Sequence, residues 1–323
     1  ADAPNTNEGD SRIKAQLVKM AQARAFFRRP ALDTDGNRAM RIETVIGWRD
    51  ELHYPGNVTY IQRPSWDASP LGSAAATLDP QLVGYAQQMF ADNQFFASVQ
   101  HQMEEKSFRA TIGLLEAPDD YEIIKAQPPS PARLPMSPGQ PDFAFTDEED
   151  GVVALKHGDE ILYVSLYWRA QYFINSLARV HYQTPRFDRT AVVRQDMQSE
   201  PSGLTVKRGT DINAPFAPWT PGYPPEIKSA HTGEEMPIAK LPPGVEFQPN
   251  RVSPFVGKAD FYRLRYGPYL IGMNTTKDKT FELQAPADKQ ATELVSGWTL
   301  VLNEPVKVRP MSTVVLYLPG EMM

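Results

Sequence analysis

The chain has 323 residues, 41% of them hydrophobic, and 33 Lys and Arg against 39 Asp and Glu give a formal net charge of -6. That length holds one large domain or two ordinary ones around a sizeable core, and the acidic balance argues against a nucleic-acid binder, which carries a basic face. With no cysteine, thiol nucleophiles, disulfides and Cys-ligated zinc are excluded, and no apolar run has the length to span a bilayer.

The opening Ala1-Asp2-Ala3-Pro4 is small and polar. It reads as a chain already trimmed by a signal peptidase, so a periplasmic or secreted protein is expected; a boundary imposed on a longer chain reads the same way. Residues 1–9 are expected to be disordered. Asp10 or Ser11 can cap a helix running to about Arg28, with Ile13, Leu17, Met20, Ala21 and Phe27 near helical spacing and Pro30 as its stop. Asp33-Thr34-Asp35-Gly36-Asn37 is a turn, and a short helix is expected from about Arg38 to Asp50. Tyr54-Pro55-Gly56-Asn57 is a further turn signal.

The clearest helix opens at Asp79-Pro80, where Asp caps and Pro suits the first helical position. Leu82, Tyr85, Ala86, Met89, Phe90, Phe96, Val99 and Met103 continue its apolar stripe, and Asp92-Asn93 is placed to kink or break it. Pro118-Asp119-Asp120 is expected to open one more short helix ending near Ala126. From Gln127 to Pro141 six prolines crowd the chain, the composition of a stiff linker.

Beyond the linker the period changes from helical to alternating. In Ile161–Arg169, Leu162, Val164, Leu166 and Trp168 share one face, and Tyr163, Ser165, Tyr167 and Arg169 the other. Short strands separated by regular turns continue to Leu318 and indicate a sandwich. The expected class is therefore α+β: a helical region over 1–126, a linker over 127–141 and an antiparallel β-sandwich over 142–323. Residues 209–258 interrupt the rhythm as a long proline-rich loop carrying Phe216, Trp219, Tyr223 and Phe247.

Four groups of residues have chemical potential. Tyr167, Trp168, Arg169, Asn175, Arg179, His181 and Tyr182, followed by Arg186, Asp188 and Arg189, are aromatic, basic and hydrogen-bonding. On a strand, Arg179 and His181 share a face, and Tyr167 and Arg169 could share it from a neighbouring strand. Such a surface suits sugars, because arginine forks pair with carboxylates and a histidine moves a proton near neutral pH. The alternative is an ordinary solvated sheet face with cation–π pairs. Arg38, Arg41, Glu43, Arg49 and His53-Tyr54 form the second group; Arg38 and Arg41, three apart on a helix, would face a polyanion or simply solvent. Asp33-x-Asp35-Gly36-Asn37 mimics the start of a calcium loop, but its glycine falls early and its twelfth position is Thr44, so a turn is expected and structural calcium is the lesser reading. Trp219 and Tyr223 either line a cleft or pin the long loop.

No Gly-x-Ser-x-Gly elbow, phosphate-binding glycine loop, dinucleotide fingerprint or His-Glu-x-x-His occurs. Serine hydrolases, kinases, nicotinamide enzymes and zinc proteases all lose ground, and no cofactor is expected.

The order of helical hairpins, proline linker and sandwich, with Leu162-Tyr163-Val164-Ser165-Leu166-Tyr167-Trp168-Arg169 and Met311-Ser312-Thr313-Val314-Val315-Leu316-Tyr317-Leu318, resembles the C-terminal half of the heparinase and alginate-lyase type of polysaccharide lyase. That resemblance implies a partial α/α toroid joined to antiparallel sheets, and β-elimination on a uronic-acid polymer. It implies His181 as the base, Arg179 on the C5 carboxylate and Tyr182 or Tyr54 as the acid, with Arg169, Tyr167, Asn175, Trp219 and Arg41 as further substrate contacts. If Arg179 and His181 share a face, Tyr182 points opposite, so its role needs a strand bend. The resemblance further implies an acidic polysaccharide or oligosaccharide as partner, and an N-terminal domain or second chain that completes the toroid. A non-catalytic carbohydrate-binding scaffold and a glycoside hydrolase are the two alternatives.

Overall fold

The computed structural model describes residues 11–32, 38–42, 69–93, 96, 104, 108–167, 174, 176–207, 235–247, 257–287 and 289–320. They form two compact units that divide between Pro141 and Asp142. The class is α+β, with antiparallel sheets predominating.

In the first unit, helix α1 (Ser11–Ala25) is followed by a hairpin of β1 (Arg28–Leu32) and β2 (Arg38–Ile42). The pair is antiparallel from Arg28↔Ile42 to Leu32↔Arg38. The short helix expected from Arg38 is therefore replaced by a strand at its start. Nucleating a short helix is unfavourable, whereas two equal extended segments close in sequence pair as one ladder. Pro30 lies inside β1, which a two-stranded ribbon tolerates because one side of each strand is an edge. Arg38 and Arg41 lie on a strand rather than a helix, so the helical spacing that paired them does not apply.

Helices α2 (Ser69–Thr77), α3 (Pro80–Ala91) and α4 (Phe108–Lys125) complete the unit's described helices. Asp79 caps α3, accepting from the Gln81 amide at 3.0 Å and the Leu82 amide at 3.1 Å. Asp92 ends it, its amide donating to the Gln88 carbonyl at 2.9 Å. The helix expected to open at Pro118 is instead the later part of α4, which runs through the proline. Pro118 removes one amide donor, but Ala117 and Ile124 on either side are buried with Leu71, Ala74, Leu82, Ala86 and Met89 in one apolar cluster. Each fully buried side chain of leucine or methionine size contributes roughly 1.5–3 kcal/mol, which is enough to hold the helix across one missing bond.

The proline-rich segment packs on α3 as part of this unit. Gln88 Nε2 donates to Ser137 Oγ at 2.8 Å, and its Oε1 accepts the Leu134 amide at 2.8 Å. Gln87 accepts the Ser130 amide at 2.8 Å and donates to the Pro128 carbonyl at 3.0 Å. Leu134 and Met136 are buried. The close approach depends on Gly84, where a Cβ would lie 2.7 Å from the Ala132 carbonyl oxygen and from Ser130 Oγ. Gly84→Ala gains about 1 kcal/mol of helix propensity but incurs overpacking of up to about 3 kcal/mol against backbone. The expected net loss is about 2 kcal/mol, read as a lower urea midpoint together with new tryptic cleavage after Arg133. A midpoint at or above that of the parent would refute the seating of this segment.

The second unit is built on two sheets. Five strands run as an antiparallel meander: β3 (Phe143–Asp147), β4 (Val152–His157), β5 (Glu160–Ser165), β6 (Leu177–Gln183) and β7 (Asp188–Arg194). A six-stranded sheet has the order β15-β14-β17-β12-β11-β8, from β8 (Asp196–Gln198), β11 (Phe261–Tyr266), β12 (Tyr269–Asn274), β14 (Lys289–Glu293), β15 (Trp298–Leu302) and β17 (Ser312–Tyr317). Val153, Leu155, Leu162, Val164, Val180 and Tyr182 of the first sheet share one core with Tyr262, Leu264, Ile271, Met273 and Val315 of the second. The ribbon of β13 (Phe281–Leu283) and β16 (Val306–Val308) belongs to a further cluster with Phe261, Leu270 and Leu316.

The expected long loop over 209–258 contains a strand, β10 (Glu235–Ala239), paired with β9 (Pro201–Lys207). Met236 and Ile238 of β10 are buried. Among the described residues no helix is long and apolar enough to cross a membrane.

Candidate functional site

The alternation of β5 and β6 sorts their residues onto two faces. Cross-strand partners in an antiparallel pair share a face, and the register aligns Tyr163 with His181 and Thr190, Ser165 with Arg179 and Val192, and Ile161 with Gln183 and Asp188. Arg179, His181 and Gln183 therefore lie in one row of β6, beside Tyr163 and Ser165. The other face carries Leu162, Val164, Val180 and Tyr182 into the sandwich core.

The fold presents neither the expected open sugar-binding surface nor its alternative, a solvated sheet face. Arg179 is 1% exposed and His181 0%. Lys156, Tyr163, Ser165 and Gln183 are buried as well. Alternation assigned these residues to a common face, but not the cover above it. Burying this much polarity is costly unless each group is hydrogen-bonded.

His181 is held from one side by the β6–β7 hairpin. Thr184 Oγ1 accepts the amides of Arg186 at 3.1 Å and Phe187 at 3.2 Å, and the Thr184 amide donates to the Phe187 carbonyl at 2.9 Å. This tight loop sets Asp188 opposite Gln183. Asp188 Oδ1 lies 2.7 Å from His181 Nε2, and Asp188 Oδ2 accepts from Gln183 Nε2 at 2.9 Å. The Tyr163 ring centroid is 6.0 Å from that of His181. The Asp188 side chain is 48% exposed, so the buried histidine connects to solvent through its carboxylate partner.

Tyr182 lies on the opposite face from His181. Its hydroxyl donates to Glu160 Oε2 at 2.7 Å, and the Tyr269 hydroxyl donates to the same oxygen at 2.6 Å. Burial first, then the Glu160 carboxylate, pushes both phenols well above their ordinary range. The strand bend that a proton-donating Tyr182 needed is absent from β6, so the pairing of Tyr182 with His181 is corrected.

Tyr167 is corrected too. The ladder of β5 stops at Ser165, and beyond it the ring turns into the core, stacked on Tyr262 at 5.7 Å with its hydroxyl donating to the Glu149 carbonyl. Arg41 is a position of β2 opposite Arg29, in the other unit. Tyr54, Arg169, Asn175 and Trp219 lie outside the described residues, as does the calcium-like turn over 33–37. Among the described residues no three His, Asp or Glu side chains converge as a metal site.

Gln183 and the Glu160–Tyr269 pair were missed in the sequence. Gln183 was detectable: it falls two residues after His181 on the same strand, hence on the same face. Glu160 and Tyr269 are 109 residues apart, and no local pattern links them.

No family model, no curated protein and no solved structure matches this chain.

Proposed function

We propose that the covered face of β5 and β6 is the reactive surface of a polysaccharide lyase that cleaves a uronic-acid-containing glycan by β-elimination. The observation that carries this reading is the row of Arg179 and His181 on one strand with Tyr163 beside it, since these are the three group types that the reaction needs. Residues two apart on a strand are separated by roughly 6–7 Å, the scale of one pyranose ring. Arg179 pairs with the C5 carboxylate and makes the adjacent proton acidic. His181 takes the C5 proton. The C5–H electron pair forms the C4=C5 double bond, and the C4–O bond breaks toward the glycosidic oxygen. That oxygen takes a proton from a phenol, a role for which Tyr163 is placed better than Tyr182. The resemblance to the heparinase and alginate-lyase type supplies the remaining parts of the proposal: an exported protein, and a helical toroid completed by a further domain or chain.

One observation favours a second reading. A face on which Arg179 and His181 are closed to solvent also suits a non-catalytic carbohydrate-binding scaffold, in which these groups hold a cover in place.

The test is the ultraviolet absorbance of the conjugated alkene when the protein meets a panel of acidic polysaccharides, with neutral glucans as controls. Elimination gives a rise on an acidic member and none on the glucans. New reducing ends at constant absorbance would replace the proposal with glycoside hydrolysis. Binding with neither signal would replace it with the scaffold.

A further inference from the structure

A side-chain amide has two ends of opposite character: its nitrogen only donates and its oxygen only accepts. Gln183 is only 6% exposed. Its Nε2 donates to Asp188 Oδ2 at 2.9 Å and lies 2.8 Å from His181 Nε2. Its Oε1 is buried and has no hydrogen-bond partner among the described residues. Buried acceptors are paired in the great majority of cases, because they have lost their water. Turning the amide over does not mend this. Oε1 would then take the place of Nε2 against Asp188 Oδ2, acceptor against acceptor, and a hydrogen bond to a charged oxygen is roughly twice as strong as a neutral one. Asp188 therefore fixes the amide and leaves its oxygen unmet.

The place of Gln183 on β6 indicates the missing donor. It follows His181 and Arg179 in the same row of the strand. A glycan lying along this row, with its carboxylate at Arg179 and its C5–H at His181, brings its next groups to Gln183, roughly 6–7 Å beyond His181. On a uronic-acid polymer the groups that donate there are ring hydroxyls. We infer that Gln183 is a specificity-determining residue whose Oε1 accepts a hydrogen bond from a free ring hydroxyl of the bound glycan, so that the preferred substrate is a uronic-acid polymer unsubstituted at that hydroxyl. The inference rests on the elimination reading above and narrows its substrate class. Acetylation or sulfation replaces the O–H by oxygens that only accept. A site built to hydrogen-bond a substrate hydroxyl rejects an analogue that lacks it, because its own buried group is then left unpaired.

The test compares kcat/KM on each member of the acidic panel, hyaluronan and polygalacturonate included, with that on its chemically O-acetylated form, for the parent and for Gln183→Met. The parent is expected to prefer the free polymer by on the order of 10²-fold. Methionine has a similar length and no amide oxygen, so the variant is expected to lose on the order of 10-fold on the free polymer and much less on the acetylated one. A merely structural Gln183 would lower both rates alike and leave their ratio unchanged. If Gln183→Met does not fold, Gln183→Asn, which withdraws the oxygen by one methylene, takes its place with the same expected loss of preference. Equal rates of the parent on free and acetylated polymers, or a folded variant with the parent's preference, overturn the inference and leave the elimination reading intact. If no polymer is cleaved, the same ratio is read from dissociation constants by titration calorimetry. A preference for the free polymer that the variant loses then removes the elimination and keeps the Gln183 contact; equal affinities, a preference that the variant keeps, or no binding overturn both.

Discussion

Gly151→Ala is expected to lower the thermal midpoint of the sandwich by roughly 6–12 °C. Gly151 has φ +67°, in the left-handed region, where a side chain costs about 1–2 kcal/mol. A Cβ there would lie 2.1 Å from Cδ1 and 2.4 Å from Cε1 of the Tyr167 ring. That ring has little freedom to yield: it is buried, stacked on Tyr262 and tied by its hydroxyl to the Glu149 carbonyl. Overpacking of this kind costs about 1–3 kcal/mol, so the sum is about 3 kcal/mol, and each kcal/mol moves the midpoint of a domain this size by roughly 2–4 °C. Gly158 is the control. Its φ is +56°, but nothing lies within 4 Å of its would-be Cβ, so Gly158→Ala should cost only the backbone strain, about 1 kcal/mol. Equal shifts in the two variants, measured by circular dichroism melting, would refute the account of Tyr167 as a locked core ring.

The second large effect is alkaline. Tyr262 and Tyr269 are fully buried and Tyr182 nearly so. Burial raises all three above the ordinary phenol value, with Glu160 adding to the rise for Tyr182 and Tyr269. A group whose pKa is raised on folding contributes stability that is complete below its unfolded value and is lost as pH rises. The unfolded value is about 10, so the loss begins there. Each phenol that stays protonated in the fold and ionises in the unfolded chain subtracts about 1.4 kcal/mol per pH unit. Three together predict a fall of roughly 3 kcal/mol between pH 10 and 11, as the unfolded phenols pass from half to about nine-tenths ionised. Urea unfolding across that interval checks it. Tyr269→Phe keeps the Tyr182 bond to Glu160 and should reduce the slope by one proton, about a third. An unchanged slope would mean that Tyr269 does not stay protonated in the fold.

Where the sequence could be read, the signals were local. The Asp79-Pro80 start of α3 follows from a cap and a proline within two residues. Sharing of a face by Arg179 and His181 needs only a strand and a spacing of two. The misreadings have a common cause: they depend on pairing and packing partners that the local pattern does not contain. Arg38–Ile42 and Glu235–Ala239 are strands because β1 and β9 pair with them. The 127–141 segment has a linker's composition, yet Gln87, Gln88 and Gly84 seat it on a helix 40 or more residues earlier. Tyr167 leaves its expected face because β5 ends two residues before it. The burial of Arg179 and His181 is of the same kind, since alternation separates faces without saying which is covered. Asp188 stood in the sequence among the polar neighbours of His181; its contact with the imidazole follows only from the hairpin that turns at Thr184.

Arg179 and His181 are the proposed reactive pair of an elimination. The most direct measurement is the initial rate of alkene absorbance on acidic polysaccharides for the parent and for His181→Gln, with melting curves on the same samples. Rising absorbance in the parent and a rate lower by at least on the order of 10²-fold in a folded variant is the predicted result. Equal rates in the two proteins, or no rise in the parent on any acidic polymer, would contradict it.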